Sequence, residues 1–302
     1  SGVDMDEVCE SLSFAGGAPG RLQRVVMPEE IKGRPLVLID YAHTPDALEN
    51  VLETVKALPH RNLFCVFGCG GDRDRTKRPK MGAIGARFSD VAVVTDDNPR
   101  SEDPTSIRVE VVSGVLSEGM ELKNGNWLLE RGESDRGCVE IEGRRDAIRA
   151  AVCAATADDI VLIAGKGHEK YQVTGGGRIF FDDCLEAQES CLSWNVEMIA
   201  EAAKGSVLKK RCSRCGCFGS ISTDTRTIRK NDVFVALKGE NFDGHQFIGS
   251  AVESGAGCIV VSDPGDYRDL DSDVIAVEDT LQALGDLARW RRKVLAEISG
   301  PV

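Results

Sequence analysis

Four apolar segments of this chain each run into a polar or glycine-rich turn, and helix-like segments separate them. The apolar segments lie at 36–39, 63–67, 91–94 and 160–163. Helices are predicted between them over Pro45 to Ala57, Lys80 to Phe88, Pro104 to Leu116 and Arg144 to Ala155. Thr44 and Pro45 suit the N-cap and first turn of the first helix. This alternation predicts an α/β fold, a Rossmann-like doubly wound parallel sheet.

The four turns should meet, because the carboxyl ends of parallel strands lie along one edge of a sheet. The turns are Asp40-Tyr41-Ala42-His43-Thr44-Pro45, Gly68-Cys69-Gly70-Gly71-Asp72-Arg73-Asp74, Thr95-Asp96-Asp97-Asn98-Pro99-Arg100 and Gly165-Lys166-Gly167-His168-Glu169. Arg100 ends the third turn, and an arginine fork at that edge suits a carboxylate or a phosphate. For that segment alone, an ordinary Asn-Pro turn with a surface arginine is an equal alternative.

Composition and charge argue against several classes of protein, namely nucleic-acid-binding, membrane-spanning and secreted ones. The chain has 302 residues, 42% of them hydrophobic, which is enough for two cores. Its net charge of -12 argues against a nucleic-acid partner. No apolar stretch approaches the roughly 20 residues of a membrane span, and no signal-peptide layout is present at the start. The eleven cysteines are mostly scattered singly in apolar runs, which predicts reduced thiols in a soluble, cytoplasmic protein.

The pattern changes near residue 190, which predicts a domain boundary between about 185 and 194. Before it, 171–181 is typical of a hairpin and 182–189 of a short acidic helix. After it, a helix is predicted over 195–203, with Gly205 as its stop. Two hairpin-like strands should then bracket 238–245, followed by a helix, strands at 258–262 and 274–277, and a helix at 280–296. The predicted domains are residues 1–190 and a smaller α/β domain at 191–302.

The four turns, in this order and spacing, resemble the carboxy-terminal domain of the Mur ligase family, and most closely the type that adds meso-diaminopimelate to UDP-N-acetylmuramoyl-dipeptide. The segment Ala18-Pro19-Gly20-Arg21-Leu22-Gln23 is similar to the linker that joins that domain to the central ATPase domain. This resemblance covers the first predicted domain.

The second half resembles the amino-terminal, UDP-substrate-binding domain of the ligase that attaches D-alanyl-D-alanine. The similar segments are Ser222-Thr223-Asp224-Thr225-Arg226, Asp232 to Gly239 and Asp243-Gly244-His245. The two resemblances together imply a junction fragment of a bifunctional fusion of two ligases.

The sequence contains no G-x-x-x-x-G-K-[ST] phosphate loop. The resemblance implies that ATP and Mg²⁺ are bound in the parent protein by central ATPase domains outside this fragment. We therefore expect the fragment alone to make no peptide bond and to hydrolyse no ATP. Gly165-Lys166-Gly167 lacks the spacing and the following Ser or Thr of such a loop.

The resemblance also implies which residues bind diaminopimelate. Arg100 and Asn98 match positions that hold the distal carboxylate, and Arg73 matches a further carboxylate contact. Gly165 and Glu169 match positions around the distal ammonium. The remaining member of the predicted set is Asp97. Lysine should be the poorer substrate, because it lacks the carboxylate and would leave Arg100 unpaired. A solvated loop acid at Glu169 and a salt bridge from Arg73 to Asp72 or Asp74 are the alternatives.

The same domain is implied to close over ATP. Tyr41 and His43 should approach the base or ribose and Arg21 the phosphates, with Asp40 in the same predicted set. His43 as a proton-transfer catalyst is disfavoured, because positioning and charge neutralisation dominate chemistry through an acyl phosphate. A buried structural role for His43 stays open.

In the second half, the resemblance implies a uridine-diphosphate site. Its predicted residues are Ser222, Asp224, Thr225, Arg226, Lys238, Gly239, Asp243 and His245. A local ion pair between Asp224 and Arg226, and an ordinary Asp-Gly-His turn, are the alternatives. No metal site is predicted, because Cys212, Cys215 and Cys217 lack a fourth Cys or His at finger spacing.

Two other classes compete with the ligase interpretation. One is a nucleotide-dependent oxidoreductase, but no G-x-G-x-x-G follows the first strand. The other is a noncatalytic scaffold in which the turns only cap strands.

Overall fold

The protein contains two large β-sheets with flanking helices and a separate two-stranded hairpin, seen in a computed structural model that describes residues 17–211, 217–239, 243–263 and 265–299. The strands are β1 (Gln23–Arg24), β2 (Leu36–Asp40), β3 (Leu63–Phe67), β4 (Val91–Val94), β5 (Leu122–Lys123), β6 (Gly137–Glu140), β7 (Ile160–Ala164), β8 (Tyr171–Thr174), β9 (Gly177–Phe180), β10 (Ser206–Lys209), β11 (Ile221–Ser222), β12 (Val233–Val235), β13 (Cys258–Val261) and β14 (Asp273–Ala276). The helices are α1 (Pro45–Lys56), α2 (Lys77–Phe88), α3 (Pro104–Ser117), α4 (Trp127–Glu130), α5 (Arg144–Ala154), α6 (Asp183–Cys191), α7 (Val196–Ala202), α8 (Ile248–Glu253) and α9 (Thr280–Ser299).

The first sheet has seven strands in the order β1-β2-β7-β3-β4-β6-β5. All neighbouring pairs are parallel except β1 and β2. The predicted doubly wound α/β sheet is confirmed, and all four predicted helices are present with ends shifted by at most three residues. Strands β5 and β6 and the short helix α4 were not predicted.

Helices cover both faces of the first sheet. Alternate strand residues such as Cys65 and Phe67 pack with α1, α2 and α3 in one buried cluster. The intervening residues, such as Phe64 and Val66, pack with α4, α5 and α6 in a second cluster. Because both faces are covered, the strands read as continuous apolar runs in the sequence. The sheet is thereby a rigid base for the turns at its edge.

The second sheet has five strands in the order β10-β14-β13-β12-β11, with only β10 antiparallel to its neighbour. The predicted pair of hairpin-like strands around 238–245 is wrong. Strand β12 pairs in parallel with β11 and β13, and only an isolated antiparallel bridge joins Lys238 to Asp243. A 3₁₀ turn at Gly244–Phe247 leads directly into α8, because Asp243 accepts a hydrogen bond from the backbone N–H of His245.

A two-stranded hairpin, β8 and β9, lies between the two sheets in the chain and matches the predicted one. Helix α6 follows it, with the Asp182 side chain as the N-cap. The chain passes from one hydrophobic core to the other between Cys191 and Trp194. Cys191 packs on the first sheet, and Trp194 packs on the second. Among the described residues, none of the long apolar segments is a helix that could cross a bilayer.

A disulfide joins the two sheet regions. Cys153, in the last turn of α5, is bonded to Cys217, which precedes β11. The prediction of reduced thiols is wrong for this pair, because folding brings together two cysteines that are 64 residues apart in the sequence. The other described cysteines are free, namely Cys65, Cys69, Cys138, Cys184, Cys191 and Cys258.

Limited proteolysis should distinguish the covalent from the noncovalent contacts between the regions. We expect cleavage near residue 190 to leave one band on a denaturing gel without reductant, because the Cys153–Cys217 bond holds the pieces together. Reductant should release two fragments, and Cys153→Ser should release them without reductant. Two fragments from the oxidised wild-type chain would contradict the disulfide, and resistance to cleavage there would contradict a division into two domains.

Candidate functional site

The four predicted turns meet at one edge of the first sheet. Strands β2, β7, β3 and β4 are consecutive neighbours, so the turns that follow them lie side by side. The backbone N–H of Gly165 donates to the carbonyl of Asp40 at 3.1 Å, and that of Gly71 donates to the carbonyl of Asn98 at 2.9 Å. This places all four turns in one continuous surface at the position where α/β sheets bind ligands.

The turn after β3 packs closely on the turn after β4. A Cβ on Gly71 would lie 2.0 Å from the carbonyl oxygen of Pro99, and one on Gly70 would lie 2.9 Å from Nη1 of Arg100. The contact at Gly71 is to backbone, so glycine is required there, whereas the contact at Gly70 is to the movable end of the Arg100 side chain. The two turns therefore meet closely at Gly71, and the Arg100 side chain lies against Gly70.

Arg100 occupies an unusual backbone conformation, with φ of +53°. Its backbone N–H donates to the carbonyl of Val173 in the hairpin at 3.0 Å, and its Nη1 donates to the carbonyl of Gly71 at 2.6 Å. Asp72, in the facing turn, also has a positive φ, +51°. Left-handed non-glycine residues cost free energy and cluster at functional sites, so this edge is a candidate for one.

Two arginines at this edge have no carboxylate partner among the described residues. The Arg100 guanidinium bonds only a carbonyl, and Nη1 of Arg73 donates to the carbonyl of Asp72 at 3.0 Å. The alternative of a salt bridge from Arg73 to the carboxylate of Asp72 or Asp74 is therefore not what the structure contains. Both arginines flank Gly70 and retain free donors for an incoming anion.

A polar cluster lies next to these arginines and is built from three of the predicted residues with Lys166 at its centre. Nζ of Lys166 is 3.0 Å from Oδ1 of Asn98, 3.5 Å from Oδ1 of Asp97 and 3.8 Å from Oε2 of Glu169. Nδ2 of Asn98 also donates to Glu169 at 3.4 Å. Glu169 is thus part of a network and is not the isolated solvated acid that was the alternative.

Burial and the neighbouring carboxylates shift the pKa of Lys166 in opposite directions. The residue is fully buried, and this burial lowers the pKa of its ammonium, whereas the nearby Asp97 carboxylate acts to raise it. The hairpin fixes the partners, because the backbone N–H of Val173 donates to Oδ1 of Asn98 at 2.9 Å. The oxygen of Asn98 is therefore fully used by the protein, and only its amide nitrogen can still reach a ligand.

The residues predicted to face a nucleotide form a separate group on the same edge. The rings of Tyr41 and His43 are 4.7 Å apart, and the guanidinium carbon of Arg21 lies 4.8 Å from the Tyr41 ring centre. The ring of His168 is 5.5 Å from that of Tyr41. His43 is exposed, which removes the alternative of a buried structural histidine. Partial burial and the Glu169 carboxylate raise the pKa of Tyr41, so its hydroxyl remains a donor.

Asp40 has an organising role at the start of this group. Its carboxylate accepts from the backbone N–H groups of Leu22 and Ala42, both at 2.8 Å. It is buried and so holds the 18–23 segment against the turn after β2. The turn places the ring of Tyr41 between this segment and Glu169, whose Oε1 lies 3.5 Å from the Tyr41 hydroxyl.

Three buried arginines behind the site were not predicted from the sequence. Arg78 donates to Glu102 at 2.8 Å and to Glu110 at 3.0 Å, and Glu102 in turn accepts from the backbone N–H of Asp72. These contacts hold the turn after β3. The signal that could have revealed them is a charged residue at a buried position of a helix.

The other two buried arginines hold the turns after β7 and β4. Arg144 makes two hydrogen bonds of 2.7 Å to Asp183 and one of 2.9 Å to the carbonyl of Ala164. Burial opposes the charge of Arg144, but the Asp183 carboxylate outweighs this effect and raises the pKa of Arg144. Arg108 contacts Asp96 and donates to Glu140 at 2.8 Å.

The predicted residues of the second sheet also lie at the carboxyl ends of its strands. Ser222 is the last residue of β11, and Asp224 follows that strand. Lys238 follows β12, and Nε2 of His245 accepts from the backbone N–H of Ser262 after β13 at 3.0 Å. The predicted residues Thr225, Gly239 and Asp243 complete these turns. An open cleft of about 500 Å³ adjoins them and is lined by Thr223, Asp224, Thr225, Arg226, Phe234 and Phe247.

Local pairing occupies part of this second group, as the alternative interpretation proposed. Arg226 and Asp224 form an ion pair of 2.6 Å, which lowers the pKa of Asp224 to about 2. Nδ1 of His245 is 2.6 Å from Asp243, so the proton lies on Nδ1 and Nε2 serves as the acceptor. Arg226 keeps 85% of its side chain exposed. It can therefore still contact a ligand anion in the cleft.

Within the described ranges, no cluster of three or more His, Cys, Asp or Glu side chains could hold a metal ion. Cys212 and Cys215 lie outside the described residues, and Cys217 is in the disulfide.

Sequence comparison finds matches in both halves of the chain. The sequence model described as "Mur ligase, glutamate ligase domain" matches residues 20–167, and the one described as "Mur ligase family, catalytic domain" matches residues 218–292. Two segments of the chain match Mur ligase family domains. The turns after β2, β3 and β4 fall within the first match, which ends at residue 167, inside the turn after β7.

Several ligases are similar to part of this chain. The UDP-N-acetylmuramoyl-L-alanyl-D-glutamate--2,6-diaminopimelate ligase of Geobacter sulfurreducens is 46% identical over 186 residues, which are 62% of this chain and 36% of that protein. The ligase of the same name from Geobacter metallireducens is 49% identical over 182 residues, 60% of this chain and 35% of that protein. The chain thus spans about a third of the length of these relatives.

Two solved structures overlap with parts of the chain. A structure of a UDP-N-acetylmuramoyl-L-alanyl-D-glutamate--2,6-diaminopimelate ligase is 39% identical and covers 63% of this chain and 34% of its own, with a TM-score of 0.49. A structure of MurF from Acinetobacter baumannii is 33% identical and covers 33% of this chain and 21% of its own, with a TM-score of 0.30.

Proposed function

We propose that the first part of the chain, up to about residue 190, selects meso-diaminopimelate in an ATP-dependent ligase of peptidoglycan precursor synthesis of the MurE type. The observation that carries this proposal is that the turn after β4 contributes to both the Arg100 guanidinium, which has no carboxylate partner among the described residues, and the Lys166-centred acidic cluster, through Asp97 and Asn98. One supplies free donors for a carboxylate, and the other supplies acceptors for an ammonium. Diaminopimelate carries both groups at the end that does not react.

The charges of the site support this substrate class. Arg100 and Arg73 have free guanidinium donors, which hold a carboxylate by charge-assisted hydrogen bonds. Asp97 and Glu169 together carry two negative charges against the single charge of Lys166, so an ammonium is favoured beside them. A ligand with only one of these groups would leave the other half of the site unsatisfied.

We propose further that the Arg21, Tyr41 and His43 group closes over ATP in the parent protein. The Tyr41 and His43 rings, which meet edge to face, offer aromatic surface for a base, and Arg21 offers a cation for phosphates. The chain has no phosphate loop, so the triphosphate and Mg²⁺ would be held by a central ATPase domain of the parent. The isolated chain should accordingly hydrolyse no ATP. The parent would act on small molecules in the cytoplasm.

For residues 191–302, we propose a UDP-N-acetylmuramoyl-tripeptide-binding domain of the MurF type, joined to the MurE-type domain in one bifunctional protein. The support is the resemblance of the three segments around Asp224, Lys238 and His245, together with their common position at the edge of the second sheet. The hydroxyls and backbone N–H groups of these turns suit a pyrophosphate.

Calorimetric titration of the oxidised chain tests the first proposal. We expect meso-diaminopimelate to bind at least tenfold more tightly than L-lysine, because lysine leaves the Arg100 guanidinium without a carboxylate partner. Glutarate, which offers carboxylates and no ammonium, is the matched control and should bind weakly. Equal affinity for the three ligands would contradict the proposal, and binding of NAD in their place would favour the oxidoreductase alternative. If neither meso-diaminopimelate nor NAD bound, the noncatalytic scaffold alternative would be favoured.

A further inference from the structure

Lys166 is the charged group on which the acidic half of the site is built. Its side chain is fully buried, yet its Nζ lies within 3.0 to 3.8 Å of Asn98, Asp97 and Glu169. Nζ of Lys166 also lies 5.7 Å from the ring centre of Tyr171, which is in strand β8 of the hairpin. No other cation among the described residues forms an ion pair with these three side chains, although the Arg144 guanidinium acts electrostatically on Asp97.

The backbone around Lys166 explains why the side chain points inward. Gly165 has φ of +120° and Gly167 has φ of +54°, backbone conformations that residues other than glycine rarely adopt. A Cβ on Gly167 would lie 2.7 Å from the carbonyl oxygen of Gly20 and from Cβ of Tyr41. The two glycines thus turn the chain sharply on both sides of Lys166 and direct its ammonium beneath the turn after β4.

A buried ammonium is costly unless its partners compensate it, and an apolar side chain of the same length would avoid that cost. Here the compensation comes from residues at the ligand-facing edge, not from the sheet core. Asp97 is almost fully buried, whereas Glu169 keeps part of its carboxylate exposed, with 19% of the side chain accessible. The arrangement leaves one uncompensated negative charge, and Glu169 is the member of the pair that solvent or a ligand can reach.

We propose that Lys166 is a positioning residue for the amino-acid site: its ammonium holds Glu169 and Asn98 in place so that the partly exposed carboxylate of Glu169 receives the ligand's ammonium. This inference rests on the proposed function. Asn98 is held through its oxygen, so that its amide nitrogen faces Glu169 and the site. Lys166 itself does not contact the ligand.

A double-mutant cycle on the affinity for meso-diaminopimelate tests this role. Lys166→Met, which keeps the length and removes the charge, should weaken binding by roughly tenfold to hundredfold. Glu169→Gln should weaken it by a similar factor. Because Lys166 acts through Glu169, the double variant should be at least about fivefold tighter than the product of the two losses predicts. Calorimetry on the full chain measures all four affinities.

A second cycle supplies the control. Arg73 has no hydrogen bond or ion pair with Lys166, so Lys166→Met and Arg73→Ala should combine within about twofold of additivity. A general loss of structure would produce the same behaviour in both cycles. Additive effects of Lys166→Met and Glu169→Gln, or an unchanged affinity of Lys166→Met, would overturn the inference while leaving the proposed function intact. A wild-type chain that binds no diaminopimelate would overturn both.

Folding of the Lys166→Met variant is checked by circular dichroism. If it does not fold, lysines labelled with ¹³C at Cε provide a measurement on chains that keep Lys166. The lysine signal that Glu169→Gln displaces should also shift when the wild-type chain is saturated with meso-diaminopimelate. An unchanged signal at saturation would contradict a role for Lys166 in placing Glu169.

Discussion

Arg100→Ala should weaken the binding of meso-diaminopimelate to this chain by about tenfold to hundredfold and leave the affinity for L-lysine nearly unchanged. The guanidinium of Arg100 has a carbonyl as its partner and no carboxylate among the described residues, so it is available to a ligand carboxylate. A charge-assisted contact of this kind contributes about 1.5 to 3 kcal/mol. Lysine lacks the carboxylate and cannot lose that contact. Titration calorimetry with both ligands measures the change.

The matched variants separate this effect from a general change of charge. Arg75→Ala removes an equally positive residue that is paired with Glu110, and it should leave both affinities unchanged. Glu169→Gln should weaken both ligands, because each presents the same ammonium. If Arg100→Ala preserved the preference for diaminopimelate over lysine, the assignment of Arg100 as the selective residue would be wrong.

Asp183→Asn should destabilise the chain by about 3 to 5 kcal/mol. Arg144 and Asp183 both have fully buried side chains, and loss of the carboxylate charge would leave a buried guanidinium without compensation. Nη1 of Arg144 already lacks a hydrogen-bond partner. Urea unfolding followed by circular dichroism measures the loss.

Helix α6 also provides the control for this prediction. Glu186, one turn further on, pairs with Arg145, whose side chain is 66% exposed and can return to water. Glu186→Gln should therefore cost no more than about 1 kcal/mol. Similar losses in the two variants would contradict the claim that the Arg144–Asp183 pair anchors the sheet edge.

The first sheet was predictable from the sequence because its central strands are buried on both faces and so form continuous apolar runs. Strand β6, Gly137–Glu140, carries too few apolar residues for that signal, although its position in the sheet buries it. The hairpin predicted around 238–245 was wrong because the turn residues there lead into a 3₁₀ turn and α8, while β12 finds its partners far away in the sequence.

The candidate site was predictable to the extent that strand order brings the turns together. The positions of Arg100, Asn98 and Glu169 follow from that order and from the turn residues themselves. The roles of Lys166, Arg78 and Arg144 did not follow, because each depends on a carboxylate from a distant segment and no local pattern identifies that partner. The Cys153–Cys217 disulfide escaped prediction for the same reason, since its cysteines belong to different sheet regions.

A crystal structure of the chain with bound meso-diaminopimelate would test the central claim most directly. We predict the carboxylate of one end of the ligand against the guanidinium of Arg100 and the ammonium of the same end within about 3 Å of Glu169, a normal hydrogen-bond distance. The other amine should point away from the turn after β4. A ligand bound elsewhere, or bound at this edge with its carboxylate away from Arg100, would contradict the account.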